Sequence, residues 1–248
     1  IVVPLLDGET VLGEIDMRLP FYIAATLSAA NLAYGYFVVP ESLPMARRSP
    51  SIPFAKINPF AALSKLARRR EVRPLVAVFA LTTFAQMMLH TTWVLYTTYR
   101  FAWTPRDNGL ALFCVGLTAA VVQAGLLALL IRRLGEKRLA VYGLASGAIT
   151  YVLYGLATQG WMMYVFIVGN LLAYAAGPAL QAIISKATPA TEQGELMGSL
   201  AAITSAGMVI MPVLGTSVLG AASHLAPDDW RVGSTFFLCA ALQGLAAW

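Results

Sequence analysis

The sequence predicts an all-α integral membrane protein, on three observations. Of its 248 residues, 58% are hydrophobic and only 12% are charged, against roughly 25% charged in an ordinary soluble domain. The apolar residues come in long runs that are apolar on every helical face, where a soluble amphipathic helix shows one stripe. Each run approaches the about 20 residues that a helix needs to cross a hydrocarbon layer roughly 30 Å thick. Helices are the expected solution, because open strands would leave backbone donors and acceptors unpaired in lipid.

About seven spans are expected, at approximately 20–39, 74–98, 109–131, 139–158, 161–184, 197–221 and 230–248. Before the first lies "IVVPLLDGETVLG", in which Asp7 and Glu9 interrupt an apolar segment. The first span, "PFYIAATLSAANLAYGYFVV", is followed by a long connection over 41–73. Its opening "PESLPMARRSPSIP" carries prolines that forbid a continuous helix. Asn58 and Pro59 then offer a cap and first turn for "FAALSKLARRR". Phe60, Leu63 and Leu66 share one side of that short helix and Lys65, Arg68 and Arg69 largely the other, a pattern suited to anionic headgroups or to plain solvation.

Between the third and fourth spans, "IRRLGEKR" (131–138) packs a dense knot of charge into an otherwise oily chain. It reads as a cytoplasmic hairpin, with Gly135 permitting the tight turn. Counting Lys and Arg in alternate connections gives the orientation. Thirteen fall on one side: Arg47, Arg48, Lys56, Lys65, Arg68, Arg69, Arg70, Arg73, Arg132, Arg133, Lys137, Arg138 and Lys186. Four fall on the other, namely Arg18, Arg100, Arg106 and Arg231. The first set is expected in the cytoplasm, so the basic balance reflects membrane topology and not nucleic-acid binding.

The polar residues inside the spans are candidate site residues, since each is costly at that depth, although many merely join helices. Thr82, Gln86, His90 and Trp93 recur at i, i+4, i+8 and i+11, one helical face. Tyr96, Gln123, Asn170 and Gln181 add an aromatic and further amides. Such a lining suits a large, partly apolar compound with several oxygens. His90 is the titratable candidate, as an imidazole can change charge near neutral pH; His224 lies in an external loop. Cys114 and Cys239 fall inside spans without metal spacing and read as small packing residues. No nucleotide-binding loop or nucleophile constellation follows a strand, and no enzyme activity or metal is expected.

Taken in order, "FVVPESLPMARR", "TTWVLYTTYRFAWTPRDNGLAL", "VVQAGLLALLIRRLGEKRLAVYGL", "YGLATQGWMMY", "GPALQAIISKATPATEQGELMGSL" and "GMVIMPVLGTSVLG" resemble the tetracycline-resistance type of drug efflux proteins in the major facilitator superfamily. The resemblance runs from about residue 18 onward. It implies that the spans are helices six to twelve of a twelve-helix transporter, a fragment lacking most of the N-terminal half. Residues 1–40 would end that half, with 1–13 as the tail of helix five; 41–73 would be the cytoplasmic linker; 74–248 would be the C-terminal six-helix domain. The chain ends agree with a fragment, since Ile1 is not an initiator Met and Trp248 closes an apolar segment.

Two family motifs carry over by position. The hairpin pattern G-x-x-x-D-R-x-G-R-K meets "ALLIRRLGEK" at 128–137, where Arg133, Gly135 and Lys137 match and Ala128, Arg132 and Glu136 depart. Without the Asp, the copy is expected to act as a topological hairpin. Gly207, Pro212 and Gly215 in "GMVIMPVLG" resemble the family's helix-packing pattern, allowing close approach and a bend. The tetracycline exporters' His of helix eight and Asp of helix nine align with Ala119 and Gly147, and no Asp or Glu lies mid-span.

The resemblance therefore implies a secondary active exporter of tetracycline-like or other amphipathic drugs, driven by protons, with no cofactor beyond the proton gradient. Its partners would be the drug, protons, the bilayer and the rest of the protein, in a bacterial inner membrane. A sugar or metabolite carrier, a seven-helix receptor and an inactive fragment are the alternatives.

Overall fold

The computed structural model describes residues 18–39, 72–189 and 192–248. The expected tail at 1–13 and the linker helix after Asn58 lie outside the described residues. The chain divides into two compact units. Among the described residues, the first contributes helix α1 (Leu19–Phe37). The second contributes all that follows, and no strand occurs among the described residues.

Helix α2 (Arg73–Phe101) opens with proline in its first turn, where the missing N–H costs nothing. It ends at Ala102, whose left-handed backbone (φ 52°, ψ 35°) stops the helix. The next helix starts immediately. Thr104 and Asp107 form a capping box, with the Thr104 N–H donating to Asp107 Oδ2 at 2.8 Å. Helix α3 then runs over Pro105–Leu134, with a π-helical turn at Val122–Leu126. Gly135, at φ 76°, turns the chain into α4 (Glu136–Leu156). Few other residues adopt that backbone cheaply.

The fifth expected span is broken. α5 (Gly160–Gly169) and α6 (Leu171–Lys186) meet at Asn170 with a 47° bend. α7 covers Gln193–Ala222 and continues through Pro212. The last span starts later than expected: a 3-10 turn at Trp230–Gly233 precedes α8 (Ser234–Ala247). Four helices, α2, α3, α4 and α7, are individually long and apolar enough to cross a membrane, and α5 with α6 makes a fifth span if taken together. α1 and α8, with 19 and 14 residues, fall below that standard of length and hydropathy.

In the second unit α4 packs against α6 and α8, and α2 against α7 and α8. α3 lies along α5, and its π turn reaches α6. Contact is close where side chains vanish. A Cβ on Gly143 would stand 2.5 Å from the Leu172 carbonyl oxygen, so α4 and α6 meet backbone to backbone only because position 143 is glycine. Large apolar side chains cover the outside, among them Phe113, Val209 and Val213. A water-soluble protein rarely exposes so much continuous apolar surface; against lipid it costs nothing.

Candidate functional site

The α2 face predicted to line a pathway straddles a boundary. At about 100° per residue, Thr82, Trp93, Gln86 and His90 fall in one sector about 80° wide. Thr82 and Trp93 lie at its buried edge, while Gln86 and His90 are exposed. The Thr82 hydroxyl and the Trp93 indole N–H have no partner among the described residues. Trp93 sits in an aromatic cluster, edge-on to Tyr154 at 5.3 Å and to Trp103 at 6.1 Å. Such rings gain from the edge-to-face arrangement beyond their area.

Tyr96 does not line an open face. It is fully buried, and its hydroxyl donates to the Tyr154 carbonyl at 2.8 Å. Asn170 is half-buried at the α5–α6 break, where its Oδ1 accepts a hydrogen bond from Ser146 Oγ at 2.7 Å. Gln123, on the π turn, and Gln181, on α6, are exposed. Thus Gln86, His90, Gln123 and Gln181 are exposed, while Tyr96 and Asn170 bond other helices.

In the hairpin, Arg133 and Lys137 are exposed at either side of Gly135. Glu136, which stands where the family motif has Arg, makes an ion pair with Lys186 at 2.6 Å. That pair joins the start of α4 to the end of α6. Gly207 and Gly215 are buried against α2: a Cβ on Gly215 would come within 2.8 Å of Thr92 Cγ2. The Thr216 hydroxyl donates back to the Pro212 carbonyl at 2.7 Å.

Sequence reasoning missed three polar residues. Gln243 on α8 is 3% exposed and its Oε1 has no partner among the described residues. A Cβ on Gly147 would lie 3.1 Å from its Nε2, so the amide occupies the space that glycine leaves on α4. The signal was available, as Gln243 is an amide within an apolar run like Gln123. Asn108, buried at the head of α3, accepts from Thr97 Oγ1 at 2.9 Å. Arg100, counted only as an external charge, ties three main-chain carbonyls together. No group of three or more His, Cys, Asp or Glu able to hold a metal occurs among the described residues.

A helical bundle with an apolar outer surface, several apolar spans and one broken span defines a multi-pass membrane protein. The chain belongs to the Major Facilitator Superfamily, whose family model matches residues 91–248. It is 33% identical over 239 residues to the tetracycline resistance protein, class C, of Escherichia coli, covering 96% of this chain and 60% of that protein. Against the class G protein of Vibrio anguillarum the identity is 33% over 241 residues, covering 95% and 59%. The human hippocampus abundant transcript 1 protein is 24% identical over 185 residues, covering 73% and 38%. Among solved structures, the human organic anion transporter MFSD10 (TETRAN) superposes with a TM-score of 0.71 at 22% identity, covering 91% of this chain and 57% of that one. The chain thus spans about 60% of the length of the tetracycline resistance proteins it matches first.

Proposed function

We propose that the chain is the C-terminal part of a secondary active transporter that exports tetracycline-like or other amphipathic drugs in exchange for protons. The observation that carries this reading is the match to relatives named for tetracycline resistance along 96% of the chain. The open face of α2, with Gln86 and His90, and the exposed amides Gln123 and Gln181 support it. They offer donors and acceptors without a fixed charge, which suits a large molecule with many oxygens. Transport proceeds by rocking of two halves about a midplane site, so the partners are the drug, protons and a second helical half. Energy comes from the proton gradient with no bound cofactor, and the membrane is the bacterial inner membrane.

The test is accumulation of tetracycline and of a lipophilic dye in cells expressing the complete reading frame, with and without a protonophore. Both compounds are expected to be kept out until the gradient collapses. Unchanged accumulation of both, with the protein in the membrane, would sink the drug-export reading. Loss of export in His90→Ala at normal expression would place the imidazole on the pathway.

A further inference from the structure

Arg100 stands at the outer end of α2, by the distribution of Lys and Arg. Its Nε donates to the Ala157 carbonyl at 2.7 Å, and its Nη1 to the carbonyls of Pro227 and Asp229 at 3.0 and 2.8 Å. These acceptors are neutral. No carboxylate pairs with Arg100 among the described residues, and its Nη2 has no acceptor there. Beside it the neighbouring Asp229 carboxylate is taken by Arg231, 2.7 Å away. Asp228 has no ion pair among the described residues.

Arg100, Thr158, Pro227 and Asp228 line one pocket of about 310 Å³, the size of a small-ligand site. One guanidinium and one carboxylate are left over in its walls. A purely anionic ligand would face the carboxylate, and a purely cationic one the guanidinium; a molecule carrying both charges satisfies both. The position adds a second constraint. Each wall is followed within three residues by a tryptophan, Trp161 after Thr158 and Trp230 after Asp228, and both are 61% exposed. Exposed tryptophans at span ends sit at the level of lipid headgroups. The pocket therefore opens where a zwitterion is anchored in the bilayer itself.

We propose that this pocket binds the headgroup of a zwitterionic, ethanolamine-type phospholipid. The phosphate accepts a charge-assisted bond from Nη2 of Arg100, and the ammonium donates to the Asp228 carboxylate. Bound there, the lipid bridges the outer end of α2 to the connection between α7 and α8. A free zwitterionic solute shares the same chemistry, so the experiment separates the two sources.

The experiment is native mass spectrometry of the chain purified with equimolar phosphatidylethanolamine, phosphatidylglycerol and phosphatidylcholine. Wild type is expected to retain the ethanolamine lipid over the other two, since the glycerol headgroup has no cation and choline cannot donate a hydrogen bond. Because Arg100 also holds three carbonyls, the test rests on Asp228. In Asp228→Asn the preference for ethanolamine over choline lipid is expected to fall about tenfold, the loss of a charged hydrogen bond. Equal retention of the three lipids by wild type, or an unchanged preference in Asp228→Asn, would overturn the proposal. In a separate arm, soluble glycerophosphoethanolamine is offered without lipid. Its binding in the absence of any lipid preference would assign the pocket to a free solute and also overturn the lipid reading.

Discussion

The Tyr96 hydroxyl donates to the main-chain carbonyl of Tyr154, 2.8 Å away. Helix α4 ends at Leu156, so that carbonyl is among the last four, which have no partner within the helix. A side chain from α2 supplies the bond. Tyr96→Phe keeps the ring packing against Phe236 and removes only the donor. It is expected to cost about 1 kcal/mol of stability, measured by thermal unfolding in detergent, with substrate preference unchanged.

Glycines in this bundle divide by what surrounds them. At Gly143 a Cβ meets the Leu172 backbone at 2.5 Å, whereas at Gly116 nothing lies within 4 Å. Gly143→Ala is expected to destabilise by about 1–3 kcal/mol, the cost of overpacking. Gly116→Ala is expected to be neutral or stabilising by up to about 1 kcal/mol, from the gain in helix propensity. Melting temperatures of the two variants decide it, and equal losses would disprove the close approach of α4 and α6.

The bond from Arg231 to Asp229 sets a pH dependence outside the membrane. Arg231 holds the Asp229 carboxyl down from its ordinary 3.8 to about 2. A depressed carboxyl contributes stability that is complete above its ordinary value and disappears as pH falls through the lowered one. The contribution of this exposed pair is therefore expected to fade between about pH 4 and 2. Asp229→Asn should flatten that part of the melting-temperature profile and leave the profile above pH 5 unaltered.

Two classes of amide are expected to separate in one experiment. Gln86→Leu and Gln123→Leu replace exposed side chains, and should reduce drug export several-fold with little change in melting temperature. Ser146→Ala removes the donor to Asn170 and should lower stability by about 0.5–2 kcal/mol. Export assays beside unfolding curves check both. A stability loss in the glutamine variants equal to that of Ser146→Ala would remove them from the pathway.

The spans α2, α3, α4 and α7 were legible because length and hydropathy decide them almost alone. The break at Asn170 was not: prolines 178 and 212 are the local signals for interruption, yet both sit inside helices, and the bend falls at a Gly-Asn step. The face of α2 was legible as a sector but not as an exposed surface. In a membrane helix a polar residue marks either a packed interface or an open one, and sequence spacing does not distinguish them. Tyr96 and Gln86 show the two outcomes about three turns apart. Gln243 carries the same sequence signal as Gln123, an amide within an apolar run, and only the packing of α8 on α4 sets it apart as buried.

The π turn at Val122–Leu126 resets the rotational phase of α3. It holds one residue more than a regular turn, so everything beyond it is rotated by about 100° relative to an uninterrupted helix. Ahead of it the inward stripe passes through Ala111 and Thr118 to Val122; beyond it Leu126, Leu130 and Leu134 pack on the cluster of Leu139, Ala140, Ala175 and Ala179. Deleting one residue from the turn would restore a plain helix and swing its C-terminal end by that angle. The leucines would leave their seats on α4 and α6, and Arg132 and Arg133 would point along a new azimuth. The aim of the charged hairpin is thus set upstream of it, by one extra peptide unit at Val122–Leu126 in the middle of the helix.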